Sequence, residues 1–265
     1  MSRATRIALL FEFGSLNGGE HSMLAVIDHT QKTDMDFVAL APDTDPLWGA
    51  LQSRGISTIA FNVRSADGQR RPREEVLAEL RNLLLASPWD LVHANSLSMG
   101  RLLGHIASDL PMPTTAHLRD ILKLSKAAIS DLNRNHELVA VSNATREFHI
   151  AQGLNPERVV TLYNGVDCQR FQPRTRDDVL RRELKLSSDD FMILNVGQIG
   201  LRKGQNVLAE AAVQLEKQLP QAKYVLAGQR CSGKQERKKK KKEKSRKKKN
   251  KKEKEKINNK TTTEE

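Results

Sequence analysis

Three short stretches of the sequence contain residues that could bind an anion or a hydroxyl group. Gly18 and Gly19 precede a predicted helix, where free backbone N–H groups and the lack of side chains let an anion approach closely. His93 and His117 lie in two later apolar stretches that are predicted strands, and a histidine near a strand end can bind a substrate hydroxyl or stabilise developing charge. A plain tight turn and two structural histidines stay open as alternatives.

Two other motifs resemble metal or phosphate sites. Asp43 and Asp45 form a D-x-D, which we interpret instead as a charged loop with a helix cap at Asp45. The segment 228–235, GQRCSGKQ, nearly matches G-x-x-x-x-G-K-[ST], but Gln235 stands where a hydroxyl should meet magnesium. The lysines that follow it do not predict the helix that such a loop requires. Neither motif is therefore expected to bind a ligand.

Alternating apolar and helical stretches must position these residues. The helical stretch 74–86 has apolar residues at a period of about 3.6. Continuous apolar strands separated by helices are typical of a parallel sheet that is covered on both faces. The alternation of strands and helices over residues 1–173 therefore predicts a doubly wound, Rossmann-like α/β domain. Its predicted strands are 6–13, 36–42, 57–63, 91–96, 113–118, 137–142 and 158–164.

A second α/β unit begins after a polar, charged break at 171–190. A strand at 191–197, a helix from Lys203 to Leu219 and a strand at 222–228 predict the first β-α-β of another domain. We assign 174–229 to a linker and this partial domain. Because a lone β-α-β leaves its sheet edges unpaired and apolar surface open, we expect an interrupted sequence and marginal folding there.

The lysine-rich segment, residues 230–265, carries all of the net charge of +12. It holds 18 Lys and Arg and 6 Asp and Glu, which leaves residues 1–229 electrically balanced. With few apolar residues and no aromatic residue, it is predicted to be disordered and unable to stack bases. Three interpretations stay open: a solvated or frame-shifted extension, a nonspecific polyanion-binding arm, and a localisation signal.

Several classes of protein are excluded by composition. A basic nucleic-acid-binding domain would spread its charge over a folded face, and a membrane span would need about 18 apolar residues in a row. The apolar start of the chain is interrupted by Glu12 and indicates a strand better than a signal peptide. Cys168 and Cys231 form no disulfide framework, so we expect free thiols and a cytoplasmic protein.

Six segments, taken in order, resemble one family of enzymes. They are NGGEHSMLAVI, LVHANSL, TAHLRD, LVAVSNATRE, VVTLYNGVDCQRFQP and VGQIGLRKGQNVLAEA. Together they resemble the retaining glycosyltransferases of family four, also called group 1, over about residues 6–230. The resemblance implies the GT-B fold, in which two Rossmann-like domains face a cleft. The first domain would bind the acceptor and the second a nucleotide diphosphate sugar.

The resemblance also implies roles for individual residues. Gly18 and Gly19 match the glycine loop against the donor diphosphate, and His117 matches the cleft histidine, taken here as the catalytic residue. Lys203 matches the lysine that pairs with the donor phosphates, where Arg202 would assist. Candidates on the acceptor side are Glu20, His21, His93, Asn95, Arg119, Asp120, Ser142 and Asn164. No cofactor and no metal are implied.

Two departures from the family pattern affect the donor side. Gln198 follows Gly197 where the family usually has arginine, so one phosphate-binding cation is missing, although Gln198 stays a candidate for phosphate binding. Lys203 and Arg202 would have to compensate. The family's later E-x7-E element, whose carboxylates hold the donor sugar and ribose, is also absent.

These observations predict a glycosyltransferase, or a fragment of one, that transfers a sugar with retention to a saccharide or lipid-linked acceptor. The incomplete donor pocket predicts little activity for the 265-residue chain. One alternative is a non-catalytic module that binds the acceptor. Another is a polyanion-binding protein, in which the lysine-rich segment contacts nucleic acid nonspecifically or an anionic membrane surface.

Overall fold

The computed structural model describes residues 3–30, 33–175, 178–200 and 203–228. The chain divides into two compact units, Met1–Gln172 and Pro173–Glu265, each of which is described by itself. Arg202, Cys231 and the lysine-rich segment lie outside the described residues, and so do the predictions made for them.

The first unit alternates strands and helices as the sequence predicts. Its strands are β1 (Thr5–Leu10), β2 (Met35–Ala41), β3 (Ser57–Ala60), β4 (Leu91–Ala94), β5 (Thr114–Leu118), β6 (Glu137–Ala140) and β7 (Val159–Thr161). Its helices are α1 (Gly18–Thr30), α2 (Leu47–Gln52), α3 (Arg73–Leu85), α4 (Leu97–Ile106), α5 (Lys126–Leu132) and α6 (Asn143–Ile150). Short 3-10 turns occur at Ala107–Asp109 and Pro156–Arg158.

All seven strands form one parallel sheet in the order β3-β2-β1-β4-β5-β6-β7. The predicted doubly wound α/β fold is thereby confirmed. The strand order changes direction between β1 and β4, so the loops that leave their carboxyl ends diverge. In open parallel sheets this topological switch point is where ligands bind.

Two hydrophobic clusters lie on opposite faces of the sheet. Ala8 and Leu10 of β1 pack on one face with α3 and α4, whereas Ile7, Leu9 and Phe11 pack on the other with α1 and α2. This alternation arises because successive side chains of a β-strand point to opposite faces of the sheet. Burial of a leucine such as Leu10 stabilises the fold by about 1.5–3 kcal/mol.

The same alternation decides where the two histidines lie. Val92 and Ala94 of β4 belong to the cluster with α3 and α4, so His93 between them lies on the face that α1 covers. In β5, Ala116 belongs to that cluster and His117 lies on the opposite face. Neighbouring parallel strands therefore bring both rings to the same side of the sheet.

Five strand predictions run two or three residues past the observed carboxyl end of the strand: those for β1, β3, β4, β6 and β7. The apolar runs that begin with β1 and β3 continue beyond Leu10 and Ala60, where the strands end. Phe11 and Phe61 each donate one more backbone hydrogen bond to the sheet and are almost fully buried. Both residues are apolar because their side chains pack in the two hydrophobic clusters, although they lie just beyond the ends of the strands.

Helix α4 approaches its neighbours closely through two glycines. A Cβ on Gly104 would overlap the carbonyl oxygen of Asp131 in α5, and Gly100 is also tightly packed.

The buried Asp131 carboxylate accepts hydrogen bonds from Arg73 at 3.0 Å and from Arg101 at 3.3 Å. This pairing satisfies a charge that would be costly to bury alone.

The second unit contains β8 (Phe191–Val196) and β9 (Ala222–Ala227), which pair in parallel, with α7 (Val179–Glu183) and α8 (Gln205–Leu215). Helix α8 is shorter than predicted at both ends. Gly204 precedes it in the left-handed conformation with φ of 71°, and after Leu215 the chain turns, with the N–H groups of Gln218 and Leu219 donating to the Leu215 carbonyl oxygen. The described part of this unit exposes several apolar side chains: Phe191, Leu194, Val196, Val207, Val213 and Leu226.

No helix in the described ranges is both long and apolar enough to cross a lipid bilayer. Cys168 is exposed and has a free thiol, as expected for that residue. The other cysteine of the sequence, Cys231, lies outside the described residues.

Candidate functional site

The first turn of α1 presents open backbone donors beyond the carboxyl end of β1. Asn17 caps the helix with its carbonyl oxygen, which accepts the N–H of His21 at 2.9 Å. The Glu20 carboxylate bonds back to the N–H of Asn17 at 2.9 Å. The N–H groups of Gly18, Gly19 and Glu20 have no acceptor among the described residues. The helix start is therefore open to an anion.

The two glycines at this helix start have different surroundings. A Cβ on Gly18 would meet nothing within 4 Å, whereas one on Gly19 would lie 3.1 Å from Cδ of Arg119. Gly19 therefore gives the arginine side chain room to pass. Gly18 borders open space, so its lack of a side chain leaves room for a ligand.

Arg119 links three segments of the first unit. Its Nε and Nη2 donate to the carbonyl oxygen and to Oδ1 of Asn95 at 3.1 and 2.7 Å, and its Nη1 donates to Oδ1 of Asn164 at 3.3 Å. Asn95 Nδ2 in turn donates to the carbonyl oxygen of Gly19 at 3.2 Å. Ser22 donates to the same Asn164 oxygen at 2.8 Å. The guanidinium therefore braces the glycine turn.

His93 and His117 are in direct contact. The distance between His93 Nε2 and His117 Nδ1 is 2.8 Å, and the ring planes cross at 87°. His93 Nδ1 lies 2.8 Å from Oγ1 of Thr115. The sheet register explains this contact, because Thr115 is the β5 partner of His93 and His117 follows two residues later on the same face.

Both histidines are neutral at physiological pH. Burial and then the charge of Arg119 lower the pKa of His93 to about 4. Burial, Arg119 and then His93 lower the pKa of His117 to about 3. Burial also lowers the pKa of Arg119, against the opposite effects of Glu20 and Asp120, but the guanidinium stays charged. A positive charge on either ring is therefore disfavoured.

The remaining predicted residues of the first unit have other surroundings. His21 is exposed on α1, and Asp120 is exposed after β5, where its carbonyl oxygen accepts from His149 Nε2 at 2.9 Å. Ser142 caps α6, and its hydroxyl oxygen accepts the N–H of Thr145 at 3.1 Å. The carboxyl edge of the sheet thus holds two hydrogen-bond networks, one of Gly19, Asn95, Arg119 and Asn164 and one of His93 and His117, with Gly18 and Glu20 in the first turn of α1.

The loop between β8 and α8 holds the candidates of the second unit. Gln205, a buried side chain, donates to the carbonyl oxygen of Gln198 at 3.3 Å and accepts from the N–H of Gly200 at 3.2 Å. The exposed Lys203 passes its stem over Gly197, whose φ of 153° favours glycine. Gln198 is exposed as well.

Asn17, Ser22, Thr115 and Gln205 belong to these networks and are absent from the sequence predictions. Asn17 precedes Glu20 by three residues, which is the spacing of a capping box. Thr115 precedes His117 by two residues on a predicted strand, and so it had to share a face with it. Gln205 is a single amide after a glycine, and no pattern distinguishes it.

The two aspartates of the D-x-D bond to neighbouring protein groups. Asp43 Oδ1 accepts from Asn62 at 2.9 Å, and Asp45 Oδ1 accepts the N–H of Gly49 at 3.0 Å. The helix boundary makes Pro46 the N-cap residue, one position after the predicted Asp45, but the Asp45 carboxylate accepts an N–H of the first turn as a cap does. In the described part of the chain, no three His, Cys, Asp or Glu side chains are grouped as metal ligands.

The parallel sheet, its switch point and the open helix start define an α/β fold like that of the GT-B glycosyltransferases. Anabaena HepE, solved in complex with UDP, superposes with a TM-score of 0.72 at 21% identity. The superposition covers 88% of this chain and 63% of HepE.

Within that class, the chain belongs to Glycosyltransferase Family 4, whose family model matches residues 16–170. A second model, Glycosyl transferases group 1, matches residues 177–263. The second match extends into the lysine-rich segment, beyond residue 230, where the resemblance was expected to end.

Two curated relatives are similar over part of their length. The GDP-mannose-dependent alpha-mannosyltransferase of Mycobacterium tuberculosis is 30% identical over 203 residues, which are 67% of this chain and 52% of the relative. D-inositol 3-phosphate glycosyltransferase 1 of Catenulispora acidiphila is 29% identical over 171 residues, which are 57% of this chain and 40% of the relative. This chain thus spans about half the length of these relatives or less.

Proposed function

We propose that the protein transfers a sugar from a nucleotide diphosphate sugar to a hydroxyl of a saccharide or lipid-linked acceptor, with retention of anomeric configuration. The observation that carries this proposal is the start of α1, where three successive N–H groups have no acceptor among the described residues. Such a helix start attracts an anion such as a diphosphate. Family membership supports the same conclusion.

The chemistry requires charge stabilisation on the donor side. As the bond between sugar and diphosphate breaks, negative charge develops on the leaving group, and fixed N–H donors lower the energy of that state. Gly18 and Gly19 would supply such donors. The family resemblance gives Lys203 the role of a phosphate-binding cation, with Arg202 assisting and Gln198 as a neutral donor. No metal or cofactor takes part in this proposal.

His117 would position the sugar or the acceptor as an uncharged hydrogen-bonding group. Its low pKa disfavours a charged imidazolium at neutral pH. Asn95 and Arg119 are engaged with each other and would act by bracing the glycine turn. The more exposed His21, Asp120 and Asn164 are better placed to contact an acceptor.

The location of the acceptor bears on the lysine-rich segment. Because that segment carries the whole net charge of +12, it would be attracted to an anionic membrane surface that held a lipid-linked acceptor. Peripheral contact with the cytoplasmic membrane face is therefore part of the proposal.

A labelled-sugar transfer assay tests the proposed reaction. The relatives and neighbours are associated with GDP-mannose, UDP and UDP-glucose, so the donor panel should include GDP and UDP sugars. For the 265-residue chain we expect little turnover, because no E-x7-E follows Lys203, but saturable binding of nucleotide diphosphates. We expect Gly18→Val to weaken that binding. Failure to bind any nucleotide diphosphate contradicts the proposal.

A non-catalytic acceptor-binding module is the second candidate. The observation that favours it is the first unit, which has its own hydrophobic clusters on both faces of β1 and β2 and holds the acceptor-side residues by itself. Saturable saccharide binding without binding of any nucleotide diphosphate would support it. Binding of a nucleotide diphosphate, with or without turnover, would favour the transferase.

A further inference from the structure

We propose that His93 is a positioning residue for His117, and that it holds the His117 ring in one proton tautomer through a hydrogen-bond chain that begins at Thr115. The two contacts of this chain are both 2.8 Å long. In the described part of the chain, His117 Nε2 has no hydrogen-bond partner, so this nitrogen is available to a ligand. That last point rests on the proposed function, in which His117 faces the sugar.

Two arrangements of protons fit the distances. In the outward arrangement, the Thr115 hydroxyl donates to His93 Nδ1, His93 Nε2–H donates to His117 Nδ1, and His117 carries its proton on Nε2. In the inward arrangement, His117 Nδ1–H donates to His93 Nε2, and His93 Nδ1–H donates to the Thr115 oxygen. Both arrangements contain two hydrogen bonds between uncharged groups.

The unpartnered groups distinguish the two arrangements. In the inward arrangement the Thr115 hydroxyl only accepts, and its proton has no acceptor among the described residues. The lone pair of His117 Nε2 is left unpartnered as well. In the outward arrangement the hydroxyl proton is used, and only His117 Nε2–H is left. Because an unsatisfied polar group in a half-buried site costs free energy, the geometry favours the outward arrangement.

The surroundings keep a second proton away from the pair. His93 is 8% exposed, and the positive charge of Arg119 disfavours a positive charge on either ring. One proton therefore lies between the rings. Its position on His93 requires His117 Nδ1 to accept and His117 Nε2 to donate.

This tautomer defines what His117 can do. A protonated Nε2 donates a hydrogen bond to an oxygen of a sugar hydroxyl or a phosphate, and it cannot take up a proton as a general base. The role of His93 is therefore to present a fixed N–H donor at the end of β5. Residues that orient the tautomer of a functional histidine act in the same way at metal sites.

Three substitutions separate this role from simple packing. His93→Phe keeps a ring but removes the donor to His117. Thr115→Val keeps the shape of the side chain but removes the hydroxyl, and it leaves the His93–His117 contact untouched. His93→Gln is the matched control, because its amide N–H can replace the donor at Nε2.

The test is nuclear magnetic resonance of the full 265-residue chain with ¹⁵N-labelled histidine at neutral pH. Long-range ¹⁵N–¹H correlations distinguish protonated from unprotonated ring nitrogens. We expect His117 to be protonated at Nε2 in the wild type and in His93→Gln, and to show mixed tautomers in His93→Phe and in Thr115→Val.

His149 provides an internal reference for correct folding. Its Nε2 lies 2.9 Å from the carbonyl oxygen of Asp120, and its Nδ1 lies 3.2 Å from the amide nitrogen of Gln152. The carbonyl can only accept and the amide nitrogen can only donate, so His149 must carry its proton on Nε2. Its signals should be the same in every folded variant.

Two results would overturn the proposal. One is a wild-type His117 protonated at Nδ1, and the other is an unchanged single tautomer in both His93→Phe and Thr115→Val. A nucleotide-sugar titration gives the second readout, where we expect roughly tenfold weaker binding in His93→Phe and recovery in His93→Gln. If the tautomers change as expected but no variant binds nucleotide sugar or saccharide, the positioning role stands and the proposed function fails.

Discussion

Arg119 shows how far the surroundings of a residue decide its role. From its place after an apolar stretch it is a candidate for binding the acceptor, but its side chain bonds to Asn95 and Asn164 in the folded protein. The planar guanidinium donates in three directions at fixed angles, which a lysine ammonium on its flexible stem does not reproduce. We therefore assign Arg119 to support of the glycine turn.

Substitution of Gly18 by alanine should weaken ligand binding without lowering the stability of the fold. A Cβ there meets nothing within 4 Å, and alanine favours a helix over glycine by about 0.5–1 kcal/mol. We expect Gly18→Ala to unfold at the same or a higher denaturant concentration. Because the new methyl group narrows the approach to the helix start, nucleotide diphosphate binding should weaken roughly tenfold, or about 1.4 kcal/mol.

Calorimetric titration and urea unfolding measure these two effects. Val26→Ala is the control, since Val26 is exposed on the same helix away from its first turn. Unchanged binding in Gly18→Ala would show that the anion does not use this helix start.

The histidine pair should make stability depend on pH. In the folded protein the pKa values of His93 and His117 are about 4 and about 3, below the ordinary value of 6.5. The unfolded chain therefore binds more protons than the folded one between about pH 6.5 and pH 3. The free energy of unfolding is highest above this window and falls as the pH is lowered through it.

Urea unfolding at a series of pH values measures this slope. We expect His117→Asn to have a shallower slope, because one of the coupled groups is gone. Leu118→Ala, a buried apolar neighbour, should lower the free energy of unfolding by a similar amount at every pH. Parallel curves for the wild type and His117→Asn would contradict this explanation.

At the scale of elements, helix α4 depends on the absence of side chains. Its residues Gly100 and Gly104 lie against β5 and α5, with no room for a Cβ on Gly104. We expect Gly104→Ala to reduce the free energy of unfolding by about 1–3 kcal/mol, because α5 has to move away. Ser98→Ala in the same helix is the control, and equal stability of the two variants would mean that this contact relaxes freely.

The elements themselves were largely predictable, whereas the site was predictable only in part. Apolar runs and a helical period identify the parallel sheet because its strands are largely apolar and the helices between them bury one face. The contact between His93 and His117 depends on the register of β4 against β5, and the sequence of either strand alone does not determine that register. The bonds of Arg119 to Asn95 and Asn164 join distant segments, so no local pattern could predict them.

At the scale of the whole molecule, the net positive charge lies in a different part of the sequence from the two α/β units. Residues 1–229 are balanced, and the +12 belongs to residues 230–265. We expect nonspecific DNA binding whose affinity falls steeply with salt, since each neutralised phosphate releases counterions. Deletion of residues 237–265 should abolish it without altering saccharide binding, as fluorescence titration at several salt concentrations can measure. DNA binding that survives the deletion would place the contact on the folded units.

The strand order has a consequence for how the protein is made on the ribosome. After β1, β2 and β3 have emerged and paired on one side, β4 joins the free side of β1, and β5, β6 and β7 each join the strand that emerged just before them. The sheet can therefore grow outward in the order of translation, with the newest strand always at the growing edge. The pair of histidines is completed only when β5 arrives, roughly two-thirds of the way through synthesis of the first unit.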